Sequence, residues 1–447
     1  MSSKKDLIIN KVNGIAQVMA KQIYFRAMRD AFAMVVPFLV LTGFVILINN
    51  VVLDPAGFMS NYVKVETLQT AQILGTKITN GTMNILSLLV VILISYSLSV
   101  TRKAKNVIIP VVVAVSCMVI LMPTTIGITP IGATEAVEVS GVIPFSLTNA
   151  GGMFVAIFTG ILATELFIKL SRIEKLQIKL SGNVPGAIVS SFNSLISVML
   201  TLCIFAIISF VLVITTGYEI NEIIVNIIQA PLVHLTTSLP GFLVLCMFTN
   251  LLFFFGIHAG GIVNPILEPP LLVAMQQNVE AFAAKATIPN IIVLPFRDLY
   301  GHIGGTGSTI ALLIVIFIWS KRREHKQFAN MVIPTSIFNI NEPIVFGFPI
   351  LFNPFMLIPF VFGPLVLFVI AYAATYLGLV SPIVAYVPWS VPPLINGWLA
   401  SGGDFRNVIL QLVLIIIQVI IYLPFLKMYE RSLDIIDEEN AKEAIKE

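Results

Sequence analysis

A single carboxylate stands in an apolar segment of this chain, and its chemistry is the first thing to explain. Glu342 is flanked by Asn339, Asn341 and Pro343, and long membrane-like runs follow it. An ionisable group at membrane depth is costly, so it usually faces a cavity, a pathway or a partner. There the Glu342 carboxylate could accept a hydrogen bond from a ligand hydroxyl and act as a general base when that hydroxyl attacks an electrophile. The alternative is a structural carboxylate that caps or braces a re-entrant loop.

A histidine upstream has a similar setting. His258 lies between an aromatic run and two glycines, and Asn264 adds polarity just downstream. The glycines allow a close approach of the backbone to a ligand, although a hydrogen-bonded histidine within a core is the alternative. We expect His258 and Glu342 to belong to a polar site for a neutral, hydroxyl-rich ligand inside a membrane protein, with Asn264, Asn339 and Asn341 as further ligand contacts.

Two more side chains could contact such a ligand. Trp389 follows a proline in an interrupted segment, and its aromatic face could pack against a sugar ring. A place in the aromatic belt at the bilayer boundary is equally consistent with this tryptophan. Asp298 is adjacent to Arg297, so the two could pair locally at the tip of a hairpin or could contact the ligand.

The composition requires a membrane. The chain has 447 residues, of which 57% are hydrophobic and 11% are charged, with a mean hydropathy of +0.97. Soluble domains carry about 25% charged residues. The net charge of +3 is too small to indicate binding to nucleic acid. The three cysteines and four histidines form no disulfide framework or metal-binding spacing, so we expect no metal and no cofactor.

Long apolar runs predict the spans. A helix needs about 20 apolar residues to cross a bilayer. The predicted spans are residues 31–52, 83–100, 107–125, 149–170, 186–215, 240–257, 306–320, 352–378 and 407–428.

The distribution of charge in the loops predicts the topology. Lys and Arg cluster at 102–105, 169–179 and 321–326, whereas 126–148 and 216–239 contain Glu but neither Lys nor Arg. Cytoplasmic loops collect Lys and Arg, so the chain is expected to make about ten crossings with both termini in the cytoplasm. We expect no cleavable signal peptide, because the N-terminal region has no short apolar core that ends in a small-residue cleavage site.

Interruptions concentrate in the second half. Prolines, glycines and charges break the regions 258–305, 330–350 and 380–400, which are predicted to contain broken helices and re-entrant hairpins. Transporters bind substrates at such discontinuous helices. The predicted organisation is a scaffold and dimerisation half at 1–215 with an amphipathic N-terminal helix, an interfacial linker helix at 216–239, a substrate-binding transport half at 240–430 and a cytoplasmic tail at 431–447.

Two motifs resemble those of a known family. They are Gly256-Ile257-His258-Ala259-Gly260-Gly261-Ile262 and Asn339-Ile340-Asn341-Glu342-Pro343 with Phe346-Gly347. In this order they resemble the Enzyme IIC component, the membrane permease of the bacterial phosphoenolpyruvate-dependent sugar phosphotransferase system. Within that family the chain is similar to the lactose/cellobiose/diacetylchitobiose branch.

The resemblance implies a mechanism. A β-linked disaccharide would bind in the second half, which moves relative to the first, and a separate Enzyme IIB would phosphorylate its 6-hydroxyl from a cysteine of its own. Glu342 would be the base and His258 the orienting partner. The resemblance also implies a separate Enzyme IIA, a homodimer built through the first half and a place in the bacterial inner (plasma) membrane. The cysteines of this chain have no adjacent basic group that would activate a thiol, so we do not expect it to carry the phosphocysteine.

Two alternatives remain open at this stage. A proton-coupled secondary sugar transporter could use Glu342 as its proton carrier, since buried carboxylates serve such relays. An intramembrane enzyme is the other, although the chain has no GxSxG elbow or metal motif. The chemical state of the delivered sugar separates the first alternative from a phosphotransferase permease.

Overall fold

The part of the chain that the structure describes is mostly helical. A computed structural model describes residues 22–129, 135–178, 186–257 and 262–444. The predicted helical membrane class is therefore confirmed in its main part. The predicted amphipathic helix within the first 21 residues, and His258, lie outside the described residues.

The elements up to residue 237 are mostly regular helices. One departure from the predicted all-helical class is a small antiparallel hairpin, in which Ile126 pairs with Val139. Its strands are rich in β-branched residues, whose stiff side chains favour extended backbone. The elements are α1 Ile23–Leu47, α2 Val65–Asn80, α3 Leu86–Thr101, α4 Ile108–Ile120, β1 Thr125–Ile128, β2 Val137–Ser140, α5 Phe145–Thr148, α6 Met153–Ser171, α7 Gly186–Thr216, α8 Ile220–Ile224 and α9 Ala230–Thr237.

Apart from the long last helix, the helices after residue 238 are mostly short and are more often broken. Prolines lie at the start of several of these helices, where a missing backbone N–H is tolerated. Single π-helical turns at 297–301 and 358–362 add further irregularity. The helices are α10 Leu239–Phe254, α11 Asn264–Ala283, α12 Leu294–Phe296, α13 Thr309–Trp319, α14 Arg323–Ser336, α15 Glu342–Gly347, α16 Pro354–Leu357, α17 Gly363–Tyr376, α18 Ile395–Ala400 and α19 Phe405–Ala444.

Six helical stretches of the described residues are long and apolar enough to cross a membrane. A seventh is obtained if the pair Ile220–Thr237 and Leu239–Phe254, bent by 80°, counts as one span. The apolar helices α4 and α13 are shorter, at 13 and 11 residues. The six are Ile23–Val52, Val65–Thr101, Ala150–Ser171, Phe192–Thr216, Pro354–Tyr376 and Phe405–Lys442.

The chain divides into two compact units. Among the described residues, one unit contains 43–75 and 235–444, and the other contains 22–42 and 76–234 apart from its gaps. In the unit that contains 22–42 and 76–234, helices α3, α4 and α6 pack against one another. Gly160 on α6 lets the helix approach Ile94, because a Cβ at Gly160 would lie 3.2 Å from the Ile94 side chain.

The other unit has an aromatic-rich core. Buried side chains of α10, α13, α15 and α19 form one cluster, in which Phe253 stacks on Phe360 with ring centroids 6.4 Å apart. In a bilayer the alternative surrounding of these side chains is lipid, so close van der Waals packing holds such a cluster together rather than transfer out of water.

The long helix α19 is hydrogen-bonded to several irregular segments of its unit. Gln411 donates to the Leu299 carbonyl at 2.7 Å and accepts from the Leu394 amide at 2.8 Å. Further along, the Tyr422 hydroxyl donates to the Gly307 carbonyl at 2.8 Å. These bonds satisfy backbone groups that would otherwise be unpaired in an apolar environment.

Charged residues join the end of α19 to the start of α14. The His325 imidazole lies 2.7 Å from Glu430, and both residues are buried. Arg322 donates to Asp434 at 2.7 Å and to Asp437 at 2.6 Å. These contacts attach the C-terminal part of α19 to the helix that leads towards Glu342.

Candidate functional site

Glu342 is accessible and uncommitted. It is the first residue of α15, directly after the break that follows α14, and its side chain is exposed. Within the described part of the chain, no ion pair or hydrogen bond involves its carboxylate. The next turn is anchored, because Ile344 and Val345 are fully buried. A carboxylate held in this way is positioned by the core and remains free to accept a proton or a hydrogen bond.

Asn339 holds two broken segments together. Asn339 is buried, and its Oδ1 accepts a hydrogen bond from the Gly304 amide at 2.7 Å. Its Nδ2 donates to the carbonyls of Trp389 and Val391, at 2.5 and 3.0 Å. The amide is therefore occupied by backbone partners. The predicted contact of Asn339 with a ligand stays a prediction, and the structure gives the side chain a bracing role.

Asn341 is a second asparagine that bonds to the glycine-rich turn. Its buried amide donates to the Thr306 carbonyl at 2.7 Å. Gly305 lies directly against it, since a Cβ at Gly305 would come within 2.4 Å of the Asn341 Cγ. Gly304, Gly305 and Gly307 have φ values of +79°, +93° and +83°. Only glycine adopts such angles readily, so this turn depends on its glycines.

Two further hydrogen bonds hold the glycine-rich turn in place. Thr309 donates to the Gly304 carbonyl at 2.6 Å, and buried His302 shares a hydrogen bond of 2.9 Å with Asn250. Together with the bonds from Asn339 and Asn341, they connect the turn to α10 and to the segment that precedes Glu342.

A second polar group forms around Arg297. This guanidinium donates to Asp298 and to Asn264, each at 3.0 Å. The structure therefore brings together two predicted site residues that are 34 positions apart in sequence. Glu268 lies one turn beyond Asn264 on α11 and within electrostatic range of Arg297. Glu268 is not among the predicted ligand contacts, although its spacing of four from Asn264 places both residues on one face of a helix.

Trp389 is positioned through its backbone. The Trp389 carbonyl accepts a hydrogen bond from Asn339 Nδ2, and the residue is 48% exposed. The exposed indole is compatible both with stacking on a ring and with the aromatic belt. Asn339 therefore connects the segment that carries Glu342 to the segment that carries Trp389.

The described residues that precede His258 lie beside the Glu342 segment. The Phe253 ring of α10 lies 6.4 Å from the Phe346 ring of α15, between centroids. The Phe352 amide donates to the Phe254 carbonyl at 3.3 Å. The chain that leads to residue 258 thus leaves α10 next to α15. The convergence of His258 and Glu342 on one ligand stays a prediction, because His258 is outside the described residues.

Comparison with known proteins gives consistent matches. The family model "Phosphotransferase system, EIIC" matches residues 29–364. The PTS system oligo-beta-mannoside-specific EIIC component of Bacillus subtilis is 32% identical over 410 residues, 91% of this chain and 90% of that protein. The PTS system cellobiose-specific EIIC component of Geobacillus stearothermophilus is 31% identical over 430 residues, 95% and 94% of the two chains.

A solved structure is similar over nearly the whole length. It is the transporter ChbC, the IIC component from the N,N'-diacetylchitobiose-specific phosphotransferase system. The TM-score is 0.89 at 32% sequence identity, and the match covers 97% of this chain and 99% of that chain.

The glycine turn yields a stability prediction. We expect Gly305→Ala to lower the thermal unfolding midpoint strongly, because a Cβ there would strain a backbone at φ +93° and overlap Asn341. Strain at positive φ costs about 1–2 kcal/mol and overpacking typically adds 1–3 kcal/mol. The control is Gly217→Ala, which has φ +74° and no atom within 4 Å. Equal shifts of the two midpoints would show that the contact with Asn341 is unimportant.

A second prediction isolates the hydrogen bonds of Asn339. Glycine suits the φ of +60° at this position, so Asn339→Gly removes the bonds without backbone strain. We expect the substitution to lower the free energy of unfolding by about 1–3 kcal/mol, the usual cost of leaving buried polar groups unpaired. The control is Lys103→Gly, an exposed residue with φ +53°, which should not lower the unfolding midpoint. A stable Asn339→Gly protein with normal resistance to proteolysis near residue 389 would refute the bracing role.

Proposed function

The chain belongs to the EIIC family of the sugar phosphotransferase system, and we propose that it carries a β-linked disaccharide into the cytoplasm, where a separate phospho-Enzyme IIB phosphorylates the 6-hydroxyl. As an EIIC protein with multiple apolar helices, it is a multi-pass protein of the bacterial plasma membrane. The proposed sugar class follows from similar proteins whose names specify cellobiose, oligo-beta-mannoside and diacetylchitobiose.

The observation that supports the chemical step is the state of Glu342. Its carboxylate is accessible, unpaired within the described residues and fixed by buried neighbours in an apolar unit. In the proposed step, the sugar oxygen attacks the phosphorus on the Enzyme IIB cysteine and the sulfur–phosphorus bond breaks. Glu342 takes the hydroxyl proton. Enzymatic phosphoryl transfer depends mainly on positioning and on the management of charge, which a fixed and uncommitted base can provide.

The other predicted site residues have supporting parts in this proposal. His258 orients the same hydroxyl, and the exposed indole of Trp389 packs against a sugar ring. Asp298 and Asn264, already joined through Arg297, offer polar atoms to other hydroxyls.

The proposal includes a topology and a division of labour. We infer about ten crossings with both termini in the cytoplasm, from the loop charges. The transport half is 240–430, and the half 1–215 forms the scaffold and the homodimer. The short helices of Ile220–Thr237, followed by an 80° bend into α10, support an interfacial linker between the halves.

The decisive experiment concerns the sugar that arrives. Purified protein in liposomes should deliver phosphorylated cellobiose or diacetylchitobiose only when phospho-Enzyme IIB is enclosed, and a protonophore should have no effect. An uncommitted Glu342 could also act as the proton carrier of a proton-coupled transporter. Such a transporter would instead deliver unmodified sugar and would stop when the proton gradient collapses. Phosphorylation of monosaccharides alone would overturn the proposed substrate class.

Removing the base gives a further prediction. Glu342→Gln should lower the rate of sugar phosphorylation by on the order of 10²-fold or more, the usual contribution of general base catalysis. The unfolding midpoint should change little, because the carboxylate has no ion pair or hydrogen bond among the described residues. His258→Ala should weaken sugar binding or phosphoryl transfer. The control Glu66→Gln alters an exposed carboxylate in the first turn of α2 and should retain the wild-type rate. A wild-type rate in Glu342→Gln would exclude Glu342 from the chemistry.

A further inference from the structure

A groove far along the chain from Glu342 combines apolar and basic walls. It has a volume of about 530 Å³ and lies within the unit that contains α3 and α6. Three of its lining residues, Arg102, Lys169 and Arg172, are basic. Leu162 and Leu166 of α6 form part of its apolar wall. The proposed sugar chemistry uses none of these residues.

The basic wall has an excess of positive charge. Arg102 pairs with Glu165 at 2.7 Å, so these two charges offset each other. The Arg172 guanidinium donates to the Arg102 carbonyl at 2.8 Å, which fixes its position without neutralising it. Lys169 is exposed and has no ion-pair partner among the described residues. Lys169 and Arg172 therefore give the groove two uncompensated positive charges.

The apolar wall continues from the charges along one face of α6. Leu162, Leu166 and Lys169 are spaced by four and three residues, so they lie in one row. Leu162 is 57% exposed. Seven residues of helix extend about 10 Å, so the row changes from apolar to basic over about that distance. The positive-inside rule places the basic end at the cytoplasmic face.

We propose that this groove binds an anionic phospholipid of the cytoplasmic leaflet. The lipid phosphate contacts Lys169 and Arg172, and one acyl chain lies along Leu162 and Leu166. Basic pockets between membrane helices on the cytoplasmic side are suited to such headgroups. Free phosphate or a phosphorylated protein would use the charges but would have no need of an apolar wall that extends towards the membrane interior. The combination therefore favours a lipid.

The test uses the full chain in a micelle of neutral detergent, with lipid binding measured by native mass spectrometry. We expect dioleoyl phosphatidylglycerol to bind at least ten times more tightly than dioleoyl phosphatidylcholine. The double variant K169Q/R172Q should lose at least tenfold in affinity for phosphatidylglycerol and retain its affinity for phosphatidylcholine. The control K64Q/K77Q removes the same charge from two exposed lysines elsewhere and should bind like the wild type.

A second variant tests the apolar wall independently. Leu162→Gln changes an exposed side chain, so folding should be preserved, and it should weaken phosphatidylglycerol binding several-fold while the basic residues remain. Equal binding of the two lipids by the wild type would overturn the proposal. The proposal would also be overturned if inorganic phosphate competed for the groove as effectively as phosphatidylglycerol does. Loss of phospho-Enzyme IIB binding in K169Q/R172Q with unchanged lipid binding would assign the groove to a protein partner instead.

Discussion

Inside a bilayer, a backbone that leaves the helical conformation must find its hydrogen-bond partners within the protein. That constraint explains why two buried asparagines are central to this structure. Asn339 satisfies one amide and two carbonyls from two other segments, and Asn341 satisfies a third carbonyl. An asparagine amide both donates and accepts, so a single side chain can join two broken segments. Glu342 stands directly beyond this pair, and its position depends on them.

The same constraint accounts for the contrast between the two units. Where α3, α4 and α6 are continuous, the backbone satisfies itself and small residues such as Gly160 allow close packing. Where helices break, polar side chains replace the missing backbone partners. A polar side chain at membrane depth is expensive, and Asn339, Asn341 and Arg297 are each bonded to a turn or within a polar group. Irregularity and polarity therefore occur together, in the unit that carries Glu342.

A run of about twenty apolar residues has few alternatives to a membrane-spanning helix. The lengths of the apolar runs therefore predicted the membrane class and the main spans. They missed α2, whose sequence between Val65 and Asn80 is too polar to be recognised as a span by itself. They also missed the hairpin at Thr125–Ser140, since a short exposed strand pair has only a local signal. A carboxylate in an apolar segment pointed to Glu342, and the resemblance implied its role as a base. Spacing could not reveal that Arg297 joins Asn264 to Asp298, because that contact depends on how distant segments fold back on one another.

Helix α19 has 40 residues and is therefore about 60 Å long. Gln411 and Tyr422 connect it to the segments around Leu299, Leu394 and Gly307, and Glu430 connects it to His325. Because one continuous helix is bonded to all of these segments, a shift of any one of them along the helix axis must strain or break its bonds to the others. A displacement of the turn at Gly307 would therefore be transmitted along α19 to the contact between Glu430 and His325.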